Sequence, residues 1–441
     1  MVNVSYTGSN DMVVMSDGEE VVYNMGDISW MMASTALVFI MSPGVGYFYS
    51  GLLRRKNALT MLWVGMAIYA AATFQWFFWG YSLAFGEGSK FIGNLKHFGL
   101  IDVLEQPSPG SDRIPALIFA IYQSMFAAIT AVLAFGACAE RGRLGPLLVL
   151  VFCWMTIVYC PIANWTWNST GWSFIMGALD YAGGGPVHMT SGVSALAYSV
   201  WLGKRRGYGT DALAYKPNNV SHVVLGTTLL WFGWFGFNGG SALAASLRAI
   251  QSMVATNVAT AVGGMTWLVL DYRWERKWSV VGLCSGMVAG LVGITPAAGY
   301  VGTPASMAIG ALTAIACNFA TKLKFLINVD EPLDVFAIHG VGGFVGALLT
   351  GIFADDRVTS FDGFSSGSGW INHHYIQLAY QLADACAICG YSFVVTSILC
   401  IAINWIPGLH LRASEEAELV GMDEDQIGES PFEMDTWAQE K

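Results

Sequence analysis

An all-α protein that crosses a membrane eleven times is the fold this sequence predicts, and three features carry the expectation. Of its 441 residues 54% are hydrophobic and 12% charged, about half the charged share of an ordinary soluble protein. Mean hydropathy is +0.51. Such a chain in water would expose more apolar surface than a soluble protein carries. Second, eleven runs reach the roughly 20 residues needed to cross hydrocarbon. Third, the basic residues alternate with those runs. With the N-terminus outside, 16 Lys and Arg fall in inner loops and the tail, and 5 fall outside, together the 21 of the chain. The positive-inside rule then selects N-outside, C-inside. A net charge of −10 argues against a nucleic-acid partner.

Taken in order, residues 1–28 form an outer N-terminal segment. No basic start precedes an apolar core there, so no signal peptide is expected. Asn3-Val4-Ser5 is a glycosylation sequon on the outer side, as is Asn168-Ser169-Thr170. The spans run over 29–52, 58–86, 113–138, 144–166, 180–203, 220–240, 248–272, 279–296, 303–322, 333–354 and 372–406. Several carry runs of small residues, such as Gly286-Met-Val-Ala-Gly-Leu-Val-Gly, that let helices approach closely in lipid. The last run is long for one crossing, so it tilts or its ends protrude. Residues 407–441 form an acidic cytoplasmic tail without a core of its own. The pair Cys386/Cys389 has redox or metal spacing, but no second pair accompanies it, and it reads as small packing residues.

Ionisable groups inside spans are costly and mark function. His188 and His339 lie deep in the fifth and tenth runs, in similar surroundings: Asp180-Tyr-Ala-Gly-Gly-Gly-Pro-Val-His188 and Asp334-Val-Phe-Ala-Ile-His339. An offset of five spans makes those helices antiparallel. That is the arithmetic of an inverted 5+5 repeat, followed by one long final helix, with a site at the midplane. Two histidines at equivalent positions would meet on the pseudo-twofold axis. The alternative is two separate core histidines, each bonded to a carbonyl. A pair could share one proton and exchange another with a small molecule, but offers no charge to a metal cation. Aromatic residues form the second constellation. Tyr122 and Phe126, Trp165 and Trp167, and Trp231, Trp234 and Phe237 with Ser241 cluster at the outer ends of their runs. They read either as an interfacial belt or as a vestibule that attracts a cation through ring faces, at about 0.5–2 kcal/mol per contact.

These residues resemble the ammonium transporter family (Amt/Mep/Rh), and most of all its fungal permeases. The resemblance rests on Gly44-Val-Gly-Tyr-Phe-Tyr-Ser-Gly, Gly177-Ala-Leu-Asp180-Tyr-Ala-Gly-Gly, Trp234-Phe-Gly-Phe237-Asn-Gly-Gly-Ser241, the run from Cys284 to Gly299, and Val335-Phe-Ala-Ile-His339-Gly-Val-Gly-Gly. It implies a plasma-membrane homotrimer with one pore per subunit, residues 29–406 being the transport domain. It implies ammonium recruitment by Phe126, Trp167 and Ser241, with Tyr122 lining the vestibule. Phe126 and Phe237 would form a stacked gate, and His188 and His339 the twin pore histidines. Asp180, Trp234 and Asp334 would support the site. Some fungal relatives carry Glu at the first His position; this chain keeps His. Glu418, Gly421 and Asp423, followed by Gly428 and Glu429, match the tail motif that packs on the cytoplasmic face and regulates opening. Fungal tails usually run on into a phosphorylation segment, whereas this chain stops at Lys441, which leaves control by a kinase or signalling partner in doubt.

The expected action is collection of ammonium or methylammonium at the mouth, loss of a proton near the gate, and passage of ammonia, with the proton relayed along the histidines. No cofactor, metal or enzymatic motif is expected. Rival readings are a membrane sensor of ammonium, a neutral channel for ammonia or carbon dioxide, and a haem or quinone protein using the two histidines.

Overall fold

A computed structural model describes residues 4–6, 11–16, 18–213 and 216–429. Its helical segments are α1 (Met25–Leu52, with a break at Ile40), α2 (Arg55–Phe85), α3 (Ala116–Cys138), α4 (Leu144–Met176), α5 (184–202), α6 (Val220–Gly240), α7 (Leu247–Glu275), α8 (Val280–Ile294), α9 (Thr303–Leu326), α10 (Phe336–Phe353), α11 (Gln377–Asn404) and a short tail helix α12 (Glu415–Val420). Among the described residues nine of these are long and apolar enough to cross a bilayer. The segment α8 is shorter, at 15 residues, and α5 opens on a glycine-rich turn.

Polar residues fix where the helices start. The Asn24 side chain accepts from Gly26 and Asp27 N–H to begin α1, Asn219 caps α6, Ser246 caps α7 and Ser279 caps α8. The N-terminal segment carries a small sheet. Strands β1 (Val4–Tyr6), β2 (Asp11–Ser16) and β3 (Glu19–Asn24) pair antiparallel in that order, with Val13 opposite Val22. A second small sheet joins β4 (Pro107–Ser108) to β5 (Ser111–Pro115). Asn3 lies outside the described residues. The sequon at Asn168 is closed: that side chain is buried, donating to the carbonyls of Ala84 and Gly86 at 3.3 and 3.2 Å.

Opposite these sheets lies a basic face whose charges are paired. Glu140 is fully buried and takes Arg54 and Arg205, each at 2.8 Å. Arg205 also grips Asp330 at 2.8 Å, and Arg141 donates to the Asp330 carbonyl at 2.7 Å. Burial alone would raise both carboxyls; the guanidinium hydrogen bonds and charges outweigh it and hold Glu140 and Asp330 below the usual carboxylate range.

The tail closes over this face. Glu418 accepts from Arg412 Nη2 at 2.6 Å and from Arg206 N–H at 2.9 Å. Asp423 accepts the N–H groups of Leu59 and Thr60 at 3.0 and 2.7 Å and the Thr60 hydroxyl at 2.6 Å. Gly421 sits at φ 120°, where a side chain would meet the Lys56 carbonyl at 2.5 Å. Gly428, at φ 73°, ends the last turn, and Glu429 is exposed.

Candidate functional site

Two interrupted helices build the centre. Before α5 the chain turns through Gly183 at φ 110°, and the Asp180 carboxylate accepts from the N–H groups of Gly183, Gly184 and Gly185 at 2.7, 2.8 and 2.6 Å. Three donors of a helix N-terminus are thereby satisfied by one side chain. A wide π turn over Gly184–Met189 carries His188, and a second over Phe336–Gly340 carries His339. Such turns recur at functional sites because they displace a side chain from the regular helical face. The two helices cross at Gly192 and Gly340, so closely that a Cβ on Gly192 would lie 2.1 Å from the Gly340 nitrogen.

This crossing brings His188 Nδ1 to 3.2 Å from His339 Nδ1. Two facing ring nitrogens at that distance require one proton between them, one ring donating and the other accepting. Both rings are buried. Trp234 stacks on His188 with centroids 5.3 Å apart and planes 16° apart, and its Nε1 donates to Thr295 Oγ1 at 2.9 Å. Among the described residues His188 Nε2 has no hydrogen-bond partner.

On one side of the pair lies a cavity of about 400 Å³, lined among others by Phe126, Trp167, Asp180, Ser241 and Arg248. Its floor is the stack of Phe126 on Phe237, with centroids 4.1 Å apart and planes 21° apart. Trp167 meets Phe126 edge-on at 5.9 Å, its Nε1 donating to the Asp180 carbonyl at 3.3 Å. Ser241 Oγ donates to the Phe237 carbonyl at 2.8 Å and lies 3.4 Å from the Tyr122 hydroxyl. Phe237 in turn lies 6.1 Å from the His188 ring. On the other side a cavity of only about 10 Å³ is lined by His339 and mostly apolar residues, among them Leu333 and Ile338. Those two also border a cavity of about 500 Å³ open to the basic face, with Lys324, Asp330, Glu331 and Asp334 on its walls. The order is therefore aromatic mouth, phenylalanine stack, histidine pair, narrow apolar neck, charged mouth.

Two expected placements need correction. Tyr122 does not line the vestibule: it is fully buried, because its hydroxyl is held by the carbonyls of Gly236 and Phe237 at 3.0 and 2.8 Å. Phe119, one turn before it, and Gln123, the next residue, line the cavity instead. Asp334 does not repeat the part of Asp180. Its carboxylate pairs with Lys324 at 2.7 Å, and Glu331 takes the N–H groups of Leu333, in the turn before α10, and of Phe336, where α10 starts, at 3.0 and 3.3 Å. Burial, and then the Asp334 charge, push the Glu331 carboxyl up. Asp384, buried within α11, was missed altogether; a carboxyl inside a membrane-length apolar run was the available signal.

The model of the Ammonium Transporter Family matches residues 29–432. Ammonium transporter 1 of Schizosaccharomyces pombe is 54% identical over 413 residues, covering 93% of this chain and 83% of the relative. Ammonium transporter MEP2 of Saccharomyces cerevisiae is 51% identical over 439 residues, covering 98% and 87%. The crystal structure of Candida albicans Mep2 superposes with a TM-score of 0.86 at 51% identity, covering 92% of this chain and 90% of that one.

Proposed function

The chain belongs to the Ammonium Transporter Family, and from that premise we propose that it takes ammonium at the aromatic mouth, strips its proton at the phenylalanine stack and passes ammonia along the histidine pair. It is a multi-pass membrane protein that moves ammonium and is no enzyme. The finer route is the proposal, and one observation carries it: two imidazoles 3.2 Å apart between an open aromatic cavity and an apolar neck.

A bare cation entering that neck loses several kcal/mol of hydration that the neck cannot return. Ammonium escapes the penalty by giving up a proton; potassium cannot. Ring faces of Phe126 and Trp167 with the Ser241 oxygen collect the cation, each good ring contact contributing about 0.5–2 kcal/mol. The proton passes through the shared Nδ1–Nδ1 contact, so uptake is electrogenic. The eleven segments each cross once, with the aromatic mouth outside and the basic face inside, in a plasma-membrane homotrimer. The latch made by Glu418 and Asp423 couples the tail, and any kinase or signalling partner acting on it, to the inner mouth.

Ammonium-evoked current in reconstituted vesicles tests the reading, with potassium and methylammonium as comparisons. The double variant His188→Ala, His339→Ala is expected to lose coupled proton movement or to admit potassium. The same current and the same selectivity in that variant would refute the relay, and absence of any current in the unaltered protein would favour neutral conduction.

A further inference from the structure

The long helix α11 lies outside the two halves that carry the histidines, yet one of its faces runs along the loop that builds the mouth. Gln377, Gln381, Asp384 and Ile388 follow at spacings of four, three and four residues, which sets them in a single stripe, and all four are buried. Gln377 Nε2 donates to the Gly177 carbonyl at 2.8 Å. Gln381 clasps Leu179 from both sides, accepting its N–H at 2.6 Å and donating to its carbonyl at 2.8 Å, and it also donates to Ala347 of α10 at 3.1 Å. Asp384 accepts the Ser173 hydroxyl at 2.5 Å. Ile388 abuts Gly185, where a Cβ would meet its Cδ1 at 2.5 Å.

The gripped segment, 173–179, leads directly into Asp180. That residue orders the start of α5 through three N–H groups and anchors Trp167 through its carbonyl. Phe174, Gly177, Ala178 and Leu179 themselves wall the mouth cavity. A carboxyl buried in a membrane-length helix costs free energy unless it serves a purpose, and the transport route makes no use of this one.

We propose that Asp384, acting through Ser173, is a positioning residue for the outer ammonium site: with Gln381 it splints segment 173–180 against α11 and so sets the pose of Trp167 and Asp180. The inference rests on the transport reading above. Misplacing a recognition group by a fraction of an ångström weakens binding without removing the pore. Loss of the splint therefore raises the half-saturating ammonium concentration and spares the maximal rate.

The experiment measures ammonium-evoked current against ammonium concentration for the full chain in vesicles, normalised to incorporated protein. Asp384→Ala and Ser173→Ala are each expected to raise the half-saturating concentration by about tenfold, the loss of one hydrogen bond to a charged or buried partner, with the maximal current within about twofold. Asp384→Asn, whose amide oxygen still accepts from Ser173, is expected to stay within about twofold of the unaltered protein. The double variant is expected to be no worse than the poorer single one, since both remove one contact. An unchanged half-saturating concentration in Ser173→Ala overturns the proposal, and this variant decides the matter if Asp384→Ala does not fold. A fall in maximal current alone overturns it in favour of a purely structural contact. Asp384→Asn behaving like Asp384→Ala overturns it in favour of a role for the charge itself. If the unaltered protein carries no current, it is the electrogenic route that fails, and the same concentration series is then read as ammonium-driven pH change inside the vesicles; transport by the unaltered protein with unshifted variants defeats the splint alone.

Discussion

Gly192→Ala tests whether the helix crossing sets the histidine pair. The added Cβ would stand 2.1 Å from the Gly340 nitrogen and 2.5 Å from its Cα, where ordinary contact begins at 3.4 Å. Both neighbours are backbone, so no rotamer change relieves the clash, and α5 and α10 must part by about 1.3 Å. His188 and His339 ride on these same two segments. Moving them apart by even a third of that amount takes the 3.2 Å Nδ1–Nδ1 contact beyond hydrogen-bond range. The overpacking costs about 1–3 kcal/mol, within what a folded membrane protein survives. Gly390→Ala is the control, because nothing lies within 4 Å of a Cβ there; it is expected to be neutral or stabilising by up to about 1 kcal/mol. Ammonium-evoked current per incorporated protein, with a melting curve in detergent, reads both effects. Gly192→Ala should lose at least about tenfold in current, equivalent to about 1.4 kcal/mol, while still melting cooperatively. Current equal to the unaltered protein, with intact melting, would refute the claim that this crossing holds the pair in its working geometry.

Phe237→Ala removes one face of the 4.1 Å stack and is expected to let potassium current through; a potassium-free record under voltage clamp would speak against a gate. Trp167→Ala should raise the half-saturating ammonium concentration between about twofold and thirtyfold, the range that 0.5–2 kcal/mol of cation–π attraction spans, as read from a concentration series. Asp423→Ala deletes three hydrogen bonds to Leu59 and Thr60, so the tail should be cut faster by protease added on the basic face; an unchanged rate would show that the latch does not hold the tail. Glu140 and Asp330 are held below their ordinary pKa by Arg54 and Arg205. Their contribution to stability is complete above the unfolded carboxylate range and is lost as pH falls through the lower folded values. Melting temperature should therefore drop on acidification below roughly pH 4, and less steeply in Arg205→Met; identical pH curves would contradict the pairing.

The helices are legible because lipid demands long apolar runs, and the odd span offset of His188 and His339 makes a meeting one of two readings, beside two separate core histidines, until the 3.2 Å contact is seen. Boundaries failed where side chains rather than hydropathy decide. The start of α5 moves from 180 to Gly184 because Gly183 takes a positive φ and Asp180 turns back onto the turn it precedes. Tyr122 reads as a vestibule ring by its place in the run, but two carbonyls of α6 claim its hydroxyl, and those become visible only once α3 and α6 are packed. Asp334 looked like the counterpart of Asp180 from its place before a histidine. Yet Asp180 lies eight residues before His188, and the residue eight before His339 is Glu331, which the structure puts on the N–H groups. Counting from the histidine would have found it. The strands of the N-terminal segment, three to six residues each, are too short to show in the hydropathy that marks the spans.

The counterpart relation between Asp180 and Glu331 bears on how a cation pathway can lack a charged bore. Each interrupted helix turns its N-terminus, and so the positive end of its dipole, toward a mouth: α5 toward the aromatic one, α10 toward the basic face. Unscreened, those ends would repel ammonium at both entrances. A carboxyl folded onto each set of N–H groups satisfies those donors and shields them from the entrance. No carboxylate then needs to stand in the neck, where it would hold a cation, potassium included, rather than pass it. Among the described residues the titratable side chains along this stretch are the two imidazoles and the Tyr49 phenol on the neck wall, and on the proposed route a permeant exchanges a proton at the imidazoles or stops. Selectivity on this view comes from removing charge at the centre and balancing it at the ends, so a carboxylate placed at either histidine should convert the pathway toward one that favours a cation as such.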